Sequence, residues 1–183
     1  MKTIDKSTFN NSWYKPGGSP LKRIVWYYIN LIFFVNPYFP FYGLKARLLK
    51  AFGAKVGKRP VIKPGVNIKY PWLLELGDYV SIGENVWIDN LGKVMLGDHT
   101  TISQGAMLLT GNHNYKSTSF DLIVKEINLH HGVWIGAQAT VCPGITCKSH
   151  SILTVGSVAT ADLESYGIYQ GNPAIKIKNR QIN

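Results

Sequence analysis

Aliphatic residues recur at every sixth position over much of this chain, and no other feature limits its possible folds as strongly. Three series keep the spacing: Leu76, Ile82 and Ile88; Leu96, Ile102 and Leu108; and Leu129, Ile135, Val141, Cys147, Leu153 and Ala159. The residue two positions before each is usually small or β-branched, as at Val80, Val86, Thr100, Ala106, Val133, Ala139, Ser151 and Ser157. The residue after is often glycine, at Gly77, Gly83, Gly97 and Gly136.

This period excludes an α-helix, because six is not a multiple of 3.6 and the glycine and β-branched content opposes helix. A solenoid of short parallel strands separated by tight corners satisfies the pattern. The aliphatic side chains point inward and stack from coil to coil, and the small residues fit crowded inner positions. Glycine is expected to supply the corner dihedral angles that a β-carbon forbids. We therefore predict an all-β solenoid domain over residues 56–170.

Residues 1–55 differ in composition from the repeat region and are predicted to form a basic, aromatic-rich cap. The segment LKRIVWYYINLIFFVNP favours a buried helix or an aromatic arm, which Pro37 and Pro40 end. A short amphipathic helix is predicted next, with Leu44, Leu48 and Leu49 on its apolar face, Lys45, Arg47 and Lys50 outside, and Gly53 as C-cap. Two interpretations stay open: a cover for the end of the solenoid, or a docking element for a membrane surface or a partner.

The charge of the chain is concentrated at its beginning. Residues 1–70 contain 13 Lys and Arg and one acid, Asp5, whereas residues 71–183 contain 7 Lys and Arg and 9 acids. A basic region of this kind can meet nucleic acid, anionic lipid or a phosphorylated ligand. No helix-turn-helix, zinc-finger or RNA-binding signature accompanies it, so we expect no nucleic-acid partner. Peripheral contact of residues 1–70 with an anionic membrane remains an expectation.

The rest of the composition points to the cytoplasm. The first residues lack the apolar core of a signal peptide, and the two cysteines, Cys142 and Cys147, fit a reducing compartment. The longest apolar run, residues 24–35, is about half a membrane span. We expect a cytoplasmic protein, with the inner face of the membrane as one place for it to work.

The repeat pattern resembles that of the hexapeptide acyltransferases, and in particular the colanic-acid and other exopolysaccharide O-acetyltransferases, relatives of the maltose and galactoside acetyltransferases. The resembling segments are RLLKAFGAKVG (47–57), YPWLLELGDYVSIGENVWI (70–88), LLTGNHNY (108–115), VWIGAQATVCPGITC (133–147) and GNPAIKIKNR (171–180). The resemblance implies a left-handed parallel β-helix with three hexapeptides per triangular coil. It also implies a homotrimer with active sites between subunits, acetyl-CoA as acyl donor, and an acceptor hydroxyl on a sugar of an exopolysaccharide or its lipid-linked precursor.

The repeat has one large interruption, an extended loop over residues 110–128. We predict that the chemistry takes place there, since loops that project from a rigid scaffold tend to carry function. It contains His113, and a neutral imidazole suits the removal of a hydroxyl proton. The family's catalytic His lies in such a loop, so the resemblance makes His113 the general base. Asn114 stands where that branch commonly has Asp.

Acceptor-binding residues are expected on both sides of this interruption. Asp89 and Asn90 follow the first series of repeats, where related sugar acetyltransferases hold the acceptor hydroxyl, and the alternative is a corner turn built on Asp-Asn. Asn112 and Asn114 flank His113 and are expected to contact the same acceptor.

The resemblance also implies a set of residues that bind acetyl-CoA. Trp134 would border the pantetheine channel, and the backbone N–H of Ala137 would face the thioester carbonyl. Gly156, Ser157 and Thr160 would run along the pantetheine arm. After the turn of residues 171–173, a C-terminal tail over residues 171–183 offers Lys176, Lys178 and Arg180 to the phosphates.

Two alternatives use the same fold without acetyl transfer. A zinc enzyme resembling the γ-class carbonic anhydrases needs three convergent His, but His130 and His131 are adjacent and would point to opposite faces of a strand. We therefore expect no metal. The other alternative is a non-catalytic scaffold. The hypothesis that we take forward is direct transfer of an acetyl group from acetyl-CoA to a sugar hydroxyl, with His113 as base.

Overall fold

A computed structural model describes residues 2–182, and its helices all lie near the beginning of the chain. A 3-10 helix, Lys6–Thr8, precedes α1, Pro20–Ile29, which continues directly into a π-helical turn, Asn30–Val35. Helix α2 covers Tyr42–Ala51, and a 3-10 turn covers Pro71–Leu73.

Short strands make up the rest of the described chain. In chain order, β1 to β19 are Lys55–Val56, Val61–Ile62, Asn67–Ile68, Leu74–Leu76, Ser81–Ile82, Trp87–Asp89, Val94–Leu96, Thr101–Ile102, Met107–Leu109, Gly111–His113, Leu122–Val124, Ile127–Leu129, Trp134–Ile135, Thr140–Val141, Thr146–Cys147, Ile152–Leu153, Val158–Ala159, Gly167–Gly171 and Ala174–Asn179.

The strands form three parallel faces of a triangular solenoid. Sheet A has the order β1-β4-β7-β12-β15, sheet C the order β3-β6-β9-β14-β17, and sheet B contains β2, β5, β8, β13, β16 and β18. Each circuit of the chain visits A, then B, then C, and we name the corners A–B, B–C and C–A. The register aligns the predicted six-residue series coil on coil, as in Leu76 with Leu96 and Leu96 with Leu129. The solenoid predicted from the repeat, and the left-handed parallel β-helix that the family resemblance implies, are confirmed.

The core of the solenoid is the interior of this triangle. Every member of the three predicted series is buried, and so are the small residues two positions before them. One complete coil precedes those that the sequence revealed, with Val56, Ile62 and Ile68 at the inward positions of β1, β2 and β3. These three residues also keep the six-residue spacing, so the repeat begins earlier than the three series indicate, at the start of the predicted domain of residues 56–170.

The glycines after the aliphatic positions have a different role from the one expected. Positive φ angles at the corners belong instead to other glycines, such as Gly105 and Gly156, and to non-glycine residues, such as Tyr79 and His99. A β-carbon at Gly136 would lie 2.6 Å from the backbone nitrogen of Val155 in the next coil. These glycines are therefore required because stacked coils approach closely, and the expectation that they supply the corner dihedrals was wrong.

The N-terminal helices cover the first coil. Ser19 caps α1 by accepting a hydrogen bond from the Lys22 backbone, and the helix buries Trp26. The predicted faces of α2 were partly wrong, because Lys45 is fully buried and Leu44 is 39% exposed. The Lys45 ammonium group donates a 2.9 Å hydrogen bond to the carbonyl of Lys63, and burial lowers the pKa of Lys45 to about 8.

The A–B corner carries a column of contacting aromatic rings, one from each successive coil, in which His131 meets both of its neighbours edge-on. Its members are Tyr79, His99, His131, His150 and Tyr166, with successive ring centroids 4.8–5.1 Å apart. Most of these residues adopt positive φ, which turns their side chains out of the corner in the same direction. This column uses three of the five histidines of the chain for packing.

The C–A corner is the irregular one. From the inward residue of sheet C to that of sheet A, the chain takes 6 positions after Val141, 8 after Ile68 and Ile88, and 21 after Leu108. The extra residues of three consecutive coils therefore project from one corner, where they lie beside the N-terminal segment. The largest of these insertions contains His113.

Candidate active site

The 110–128 insertion is an ordered hairpin at its base. Strands β10 and β11 pair antiparallel, with His113 opposite Leu122. Buried Thr110 anchors the hairpin to the coil below, because its hydroxyl donates to the carbonyl of Asp89 and accepts from the N–H of Gly92, both at 2.9 Å. His113 thus lies at the end of a short, anchored strand, which the sequence alone had described only as a loop.

Phe120 both hydrogen-bonds the His113 ring and stacks on it. Nδ1 of His113 lies 2.9 Å from the carbonyl oxygen of Phe120, and the two rings stack with centroids 4.5 Å apart. A carbonyl oxygen only accepts hydrogen bonds, so Nδ1 carries a proton, and in the neutral ring Nε2 is then the basic nitrogen. No pattern in the sequence pointed to Phe120, because a backbone carbonyl has no residue-type signature.

The position of that carbonyl is fixed by polar groups on either side of Phe120. Asp121 accepts hydrogen bonds from the hydroxyls of Ser119 at 2.7 Å and Ser117 at 2.8 Å, and these bonds lower the pKa of the Asp121 carboxyl. Phe120 itself has φ of +54°, a conformation that a bulky residue adopts only when its surroundings require it. The serine–aspartate cluster therefore positions the acceptor of the His113 hydrogen bond.

The two asparagines beside His113 hold backbone within the loop. The side-chain oxygen of Asn112 accepts from the N–H of His113 at 2.7 Å. That of Asn114 accepts from the N–H of Lys116 at 3.1 Å, which closes a turn. Asn114, where the family commonly has Asp, is therefore engaged in the loop backbone, whereas Asn112 is exposed.

The N-terminal segment packs over this loop, which the sequence did not indicate. The N–H of Asp5 donates to the carbonyl of Thr118 at 2.8 Å. Lys6 and Phe9 join His113 and Phe120 around a cavity of about 210 Å³, with the Lys6 ammonium 5.3 Å from the centre of the Phe120 ring. A small cavity with one basic nitrogen and one cation thus lies at the C–A corner.

Asp89 and Asn90, predicted to bind an acceptor, have different surroundings. The Asp89 carboxylate is partly exposed and pairs with the ammonium of Lys69 at 2.8 Å. Asn90 is fully buried, and its amide bonds both the N–H and the carbonyl of Tyr70 in the coil below. Asn90 therefore holds two coils together and cannot face a ligand, which corrects the expectation for this residue.

The residues expected to bind acetyl-CoA lie mostly on another part of the coil. Trp134 is on the outer face of sheet B, 45% exposed, and its indole N–H donates to Ser103 at 2.9 Å. Ala137 and Gly156 stack at the B–C corner through a 2.9 Å backbone hydrogen bond. Ser157 is buried beside them, and Thr160 is exposed at the C–A corner. One copy of the chain does not gather these residues around His113.

The three basic residues after Gly171 do not lie together either. Strands β18 and β19 form an antiparallel hairpin along the edge of sheet B, and Lys176 and Lys178 are exposed on it. The guanidinium of Arg180 donates to the carbonyls of Gly132 at 3.1 Å and His150 at 3.4 Å. Arg180 therefore caps the ring column of the A–B corner, which corrects its assignment to a phosphate.

Two further observations concern ligands and membranes. Over residues 2–182, no group of three or more His, Cys, Asp or Glu side chains is arranged to hold a metal ion. Within the same range, no helix combines the length and the apolar character needed to cross a bilayer.

Comparison with known proteins identifies the family. No family model matches the chain. It is 35% identical over 164 residues to the colanic acid biosynthesis acetyltransferase WcaF of Escherichia coli (strain K12), covering 90% of both chains. It is 27% identical over 139 residues to the galactoside O-acetyltransferase of that organism, covering 74% of this chain and 68% of the relative.

Solved structures agree with this fold. A hexapeptide-repeat acetyltransferase of Vibrio cholerae, complexed with acetyl coenzyme A, superposes with a TM-score of 0.79 at 19% identity and covers 88% of each chain. The repeat, the register and the extent of identity to WcaF together establish that this chain belongs to the hexapeptide-repeat acetyltransferases, a family of acetyl-CoA-dependent enzymes.

Proposed function

We propose that this protein transfers the acetyl group of acetyl-CoA to a hydroxyl group of a sugar, with His113 as general base. The observation that carries this proposal is the 2.9 Å hydrogen bond from Nδ1 of His113 to the carbonyl of Phe120. It fixes the tautomer and leaves the lone pair of Nε2 available at the edge of a cavity. A general base needs this combination of a fixed ring and an open nitrogen.

The chemistry balances with these groups alone. Nε2 of His113 removes the proton of the acceptor hydroxyl as its oxygen bonds to the thioester carbonyl carbon. The carbon–sulfur bond then breaks, and the imidazolium returns its proton to the departing coenzyme A thiolate. The developing oxyanion needs a hydrogen-bond donor. The N–H of Ala137 suits this role, because it has no hydrogen-bond partner among the described residues.

A second copy of the chain is needed to complete this site. His113 extends from the C–A corner, whereas Trp134, Ala137 and Gly156 lie on sheet B and at the B–C corner. Packing one copy's C–A corner against another copy's B–C corner brings the two sets together, and a threefold axis repeats that contact in a closed ring. We therefore propose a homotrimer with acetyl-CoA in the groove between neighbouring solenoids, its phosphates near Lys176 and Lys178.

The acceptor that we propose is a sugar of an exopolysaccharide or its lipid-linked precursor. The names of two relatives support it, since one is a colanic acid biosynthesis acetyltransferase and the other a galactoside O-acetyltransferase. Asp89 supports it structurally, because its carboxylate is partly exposed near the base of the His113 hairpin and can accept a hydrogen bond from a sugar hydroxyl.

We further propose that the protein works in the cytoplasm at the inner face of the membrane. Helix α1 and the turn after it expose large apolar side chains, Leu21, Ile24, Tyr28, Leu31 and Ile32, within a region of high positive charge. This combination suits an anionic bilayer surface. Sedimentation with phosphatidylglycerol vesicles, compared with phosphatidylcholine vesicles, tests this part of the proposal.

The test of the central function is acceptor-dependent release of coenzyme A thiol from acetyl-CoA, with oligosaccharides as acceptors. We expect release that needs a sugar and that His113→Ala abolishes, whereas the exposed His130→Ala, a matched control outside the site, keeps wild-type rates. Equal rates for His113→Ala and wild type would overturn the assignment of the base. Sedimentation equilibrium tests the trimer separately.

A further inference from the structure

A groove of about 530 Å³ lies between the N-terminal helix and the outer face of sheet C. One wall is α1 with its π-helical turn, and the other is formed by β3 and β6. Hydrogen bonds hold the walls together, because the Trp26 indole donates to the carbonyl of Ile68 at 2.9 Å and Asn30 bonds Asn67 at 2.8 Å. The groove is thus a fixed feature of the cap.

One end of the groove is charged. Arg23, Lys69 and Asp89 line it. Lys69 and Asp89 neutralise each other at 2.8 Å, whereas among the described residues no carboxylate lies within 4.0 Å of the Arg23 guanidinium. This end therefore carries one cation without a counterion. A guanidinium binds phosphate and carboxylate groups through paired, charge-assisted hydrogen bonds.

The charged end lies at the same corner as the candidate base. The carbonyl of Asp89 accepts from the hydroxyl of Thr110, the residue that anchors the His113 hairpin. The groove and the His113 hairpin are thus joined through Asp89, which lines the first and anchors the second.

Next to the charged end the groove is aromatic. Trp87 is 43% exposed on the outer face of β6, and Tyr27 is 63% exposed on α1 opposite it. The two rings therefore give the groove an exposed aromatic surface on both of its walls. A flat indole offers an apolar surface and a polar edge, which suits the C–H face and the hydroxyl rim of a sugar ring.

We propose that this groove binds the part of the acceptor beyond the reacting hydroxyl, namely a sugar ring against Trp87 and an anionic group, phosphate or carboxylate, on Arg23. The inference rests on the proposed function only in identifying the ligand as its acceptor. It defines the acceptor class as an anionic glycan, and it makes Arg23 and Trp87 specificity-determining residues.

The test measures binding in the absence of acetyl-CoA, so that a failure of acetyl transfer cannot be mistaken for a failure of the groove. Three probes are titrated by calorimetry: galactose 1-phosphate, galacturonate and methyl galactoside. We expect at least one anionic sugar to bind about tenfold or more tightly than the neutral glycoside. Inorganic phosphate alone and the galacturonate titration distinguish a phosphate site from a carboxylate site.

Variants assign the contacts. Arg23→Gln is expected to remove the preference for anionic sugars, and Trp87→Ala to weaken all sugars about tenfold, while Trp87→Phe keeps most of the affinity. Arg47→Gln and Tyr38→Ala are the controls, since Arg47 is exposed on α2 and Tyr38 is 91% exposed outside the groove. Thermal melts verify folding.

Three results would overturn the proposal: equal affinity for charged and neutral sugars, equal losses in the control variants, or burial of the groove against a second copy of the chain. If Arg23 and Trp87 govern binding but no acetyl group is transferred to any bound sugar, the groove is a sugar-binding site and the proposed function is wrong.

Discussion

Two corners of the same triangular coil contain histidines and use them in opposite ways. At the A–B corner, His99, His131 and His150 take equivalent positions in successive coils and form one column. At the C–A corner, His113 has no counterpart in neighbouring coils, because it lies in an insertion that occurs once. The first arrangement stabilises the stack of coils, and the second presents a basic nitrogen to a cavity.

In a solenoid, residues that recur from coil to coil and residues in an insertion therefore have different roles. A residue type that returns at equivalent positions is explained by contact with its own copies. A residue that breaks the repeat needs another explanation, and here it is held by groups that recur nowhere else in the described coils: Phe120, Ser117, Ser119 and Asp121. Four predictions follow this contrast, from the largest expected effect to the smallest.

Replacing His113 with Ala should lower the rate of acetyl transfer about 10²–10⁴-fold, the usual contribution of a general base. Because the ring contacts mainly its own loop, the thermal midpoint should stay close to that of the wild type. Acceptor-dependent thiol release and a thermal melt measure the two quantities. A loss of activity that merely tracks unfolding would make His113 a structural residue like those of the column.

Releasing the Phe120 carbonyl should slow the reaction less severely. Asp121→Ala removes the acceptor of two serine hydroxyls, so Phe120 can relax from its positive φ and the His113 ring loses its fixed tautomer. We expect kcat to fall on the order of tenfold with a smaller change in KM. Glu126→Ala, an exposed acid in the same insertion, is the control. If both variants behave alike, the serine–aspartate cluster does not position the base.

His131→Ala should have the reverse profile of His113→Ala. It removes the middle ring of the column, which contacts His99 and His150 with ring centroids 5.1 Å away on each side. Losing two such contacts should cost about 1–2 kcal/mol of unfolding free energy. The thermal midpoint should fall by several degrees while kcat stays unchanged. A large drop in kcat for His131→Ala, with no loss of stability, would contradict the purely structural role of the A–B corner.

The column should also make stability depend on pH. Burial, together with the neighbouring His131 and Arg180, lowers the pKa of His150 below its ordinary 6.5. The unfolded chain therefore binds the proton more readily, and the contribution of His150 to stability is present above pH 6.5 and is lost as the pH falls through the lowered value. Thermal melts of His150→Gln should show a weaker decline below pH 6.5 than those of the wild type. An unchanged decline would assign the effect to other groups.

The sequence predicted the parts of the molecule that repeat. The inward columns and the small residues beside them followed from spacing, since stacking imposes the same requirement on every coil. The first coil, with Val56, Ile62 and Ile68, lies inside the predicted domain of residues 56–170, although its members were not counted in the three series. The glycines were recognised but misread, since a close approach between coils is a property of three-dimensional stacking and not of local dihedral preference.

Only part of the candidate site could be predicted in the same way. His113 was identified by its residue type and by the interruption around it. Its hydrogen-bond acceptor is a backbone carbonyl, and the wall formed by Lys6 and Phe9 comes from a segment more than 100 positions away along the chain. Asn90 and Arg180 have residue types that suit a ligand, yet the fold uses both for contacts between coils. Residue type alone does not separate these uses.

The central claim is that the fold holds His113 as the tautomer protonated at Nδ1, so that Nε2 serves as the base. Nitrogen-15 NMR of the histidine side chains reports this directly, because protonated and unprotonated ring nitrogens have well-separated shifts. With His113→Ala to assign the signal, the account predicts a neutral His113 with its proton on Nδ1 and a free Nε2. A neutral ring with the proton on Nε2, or a mixture of the two tautomers, would contradict it.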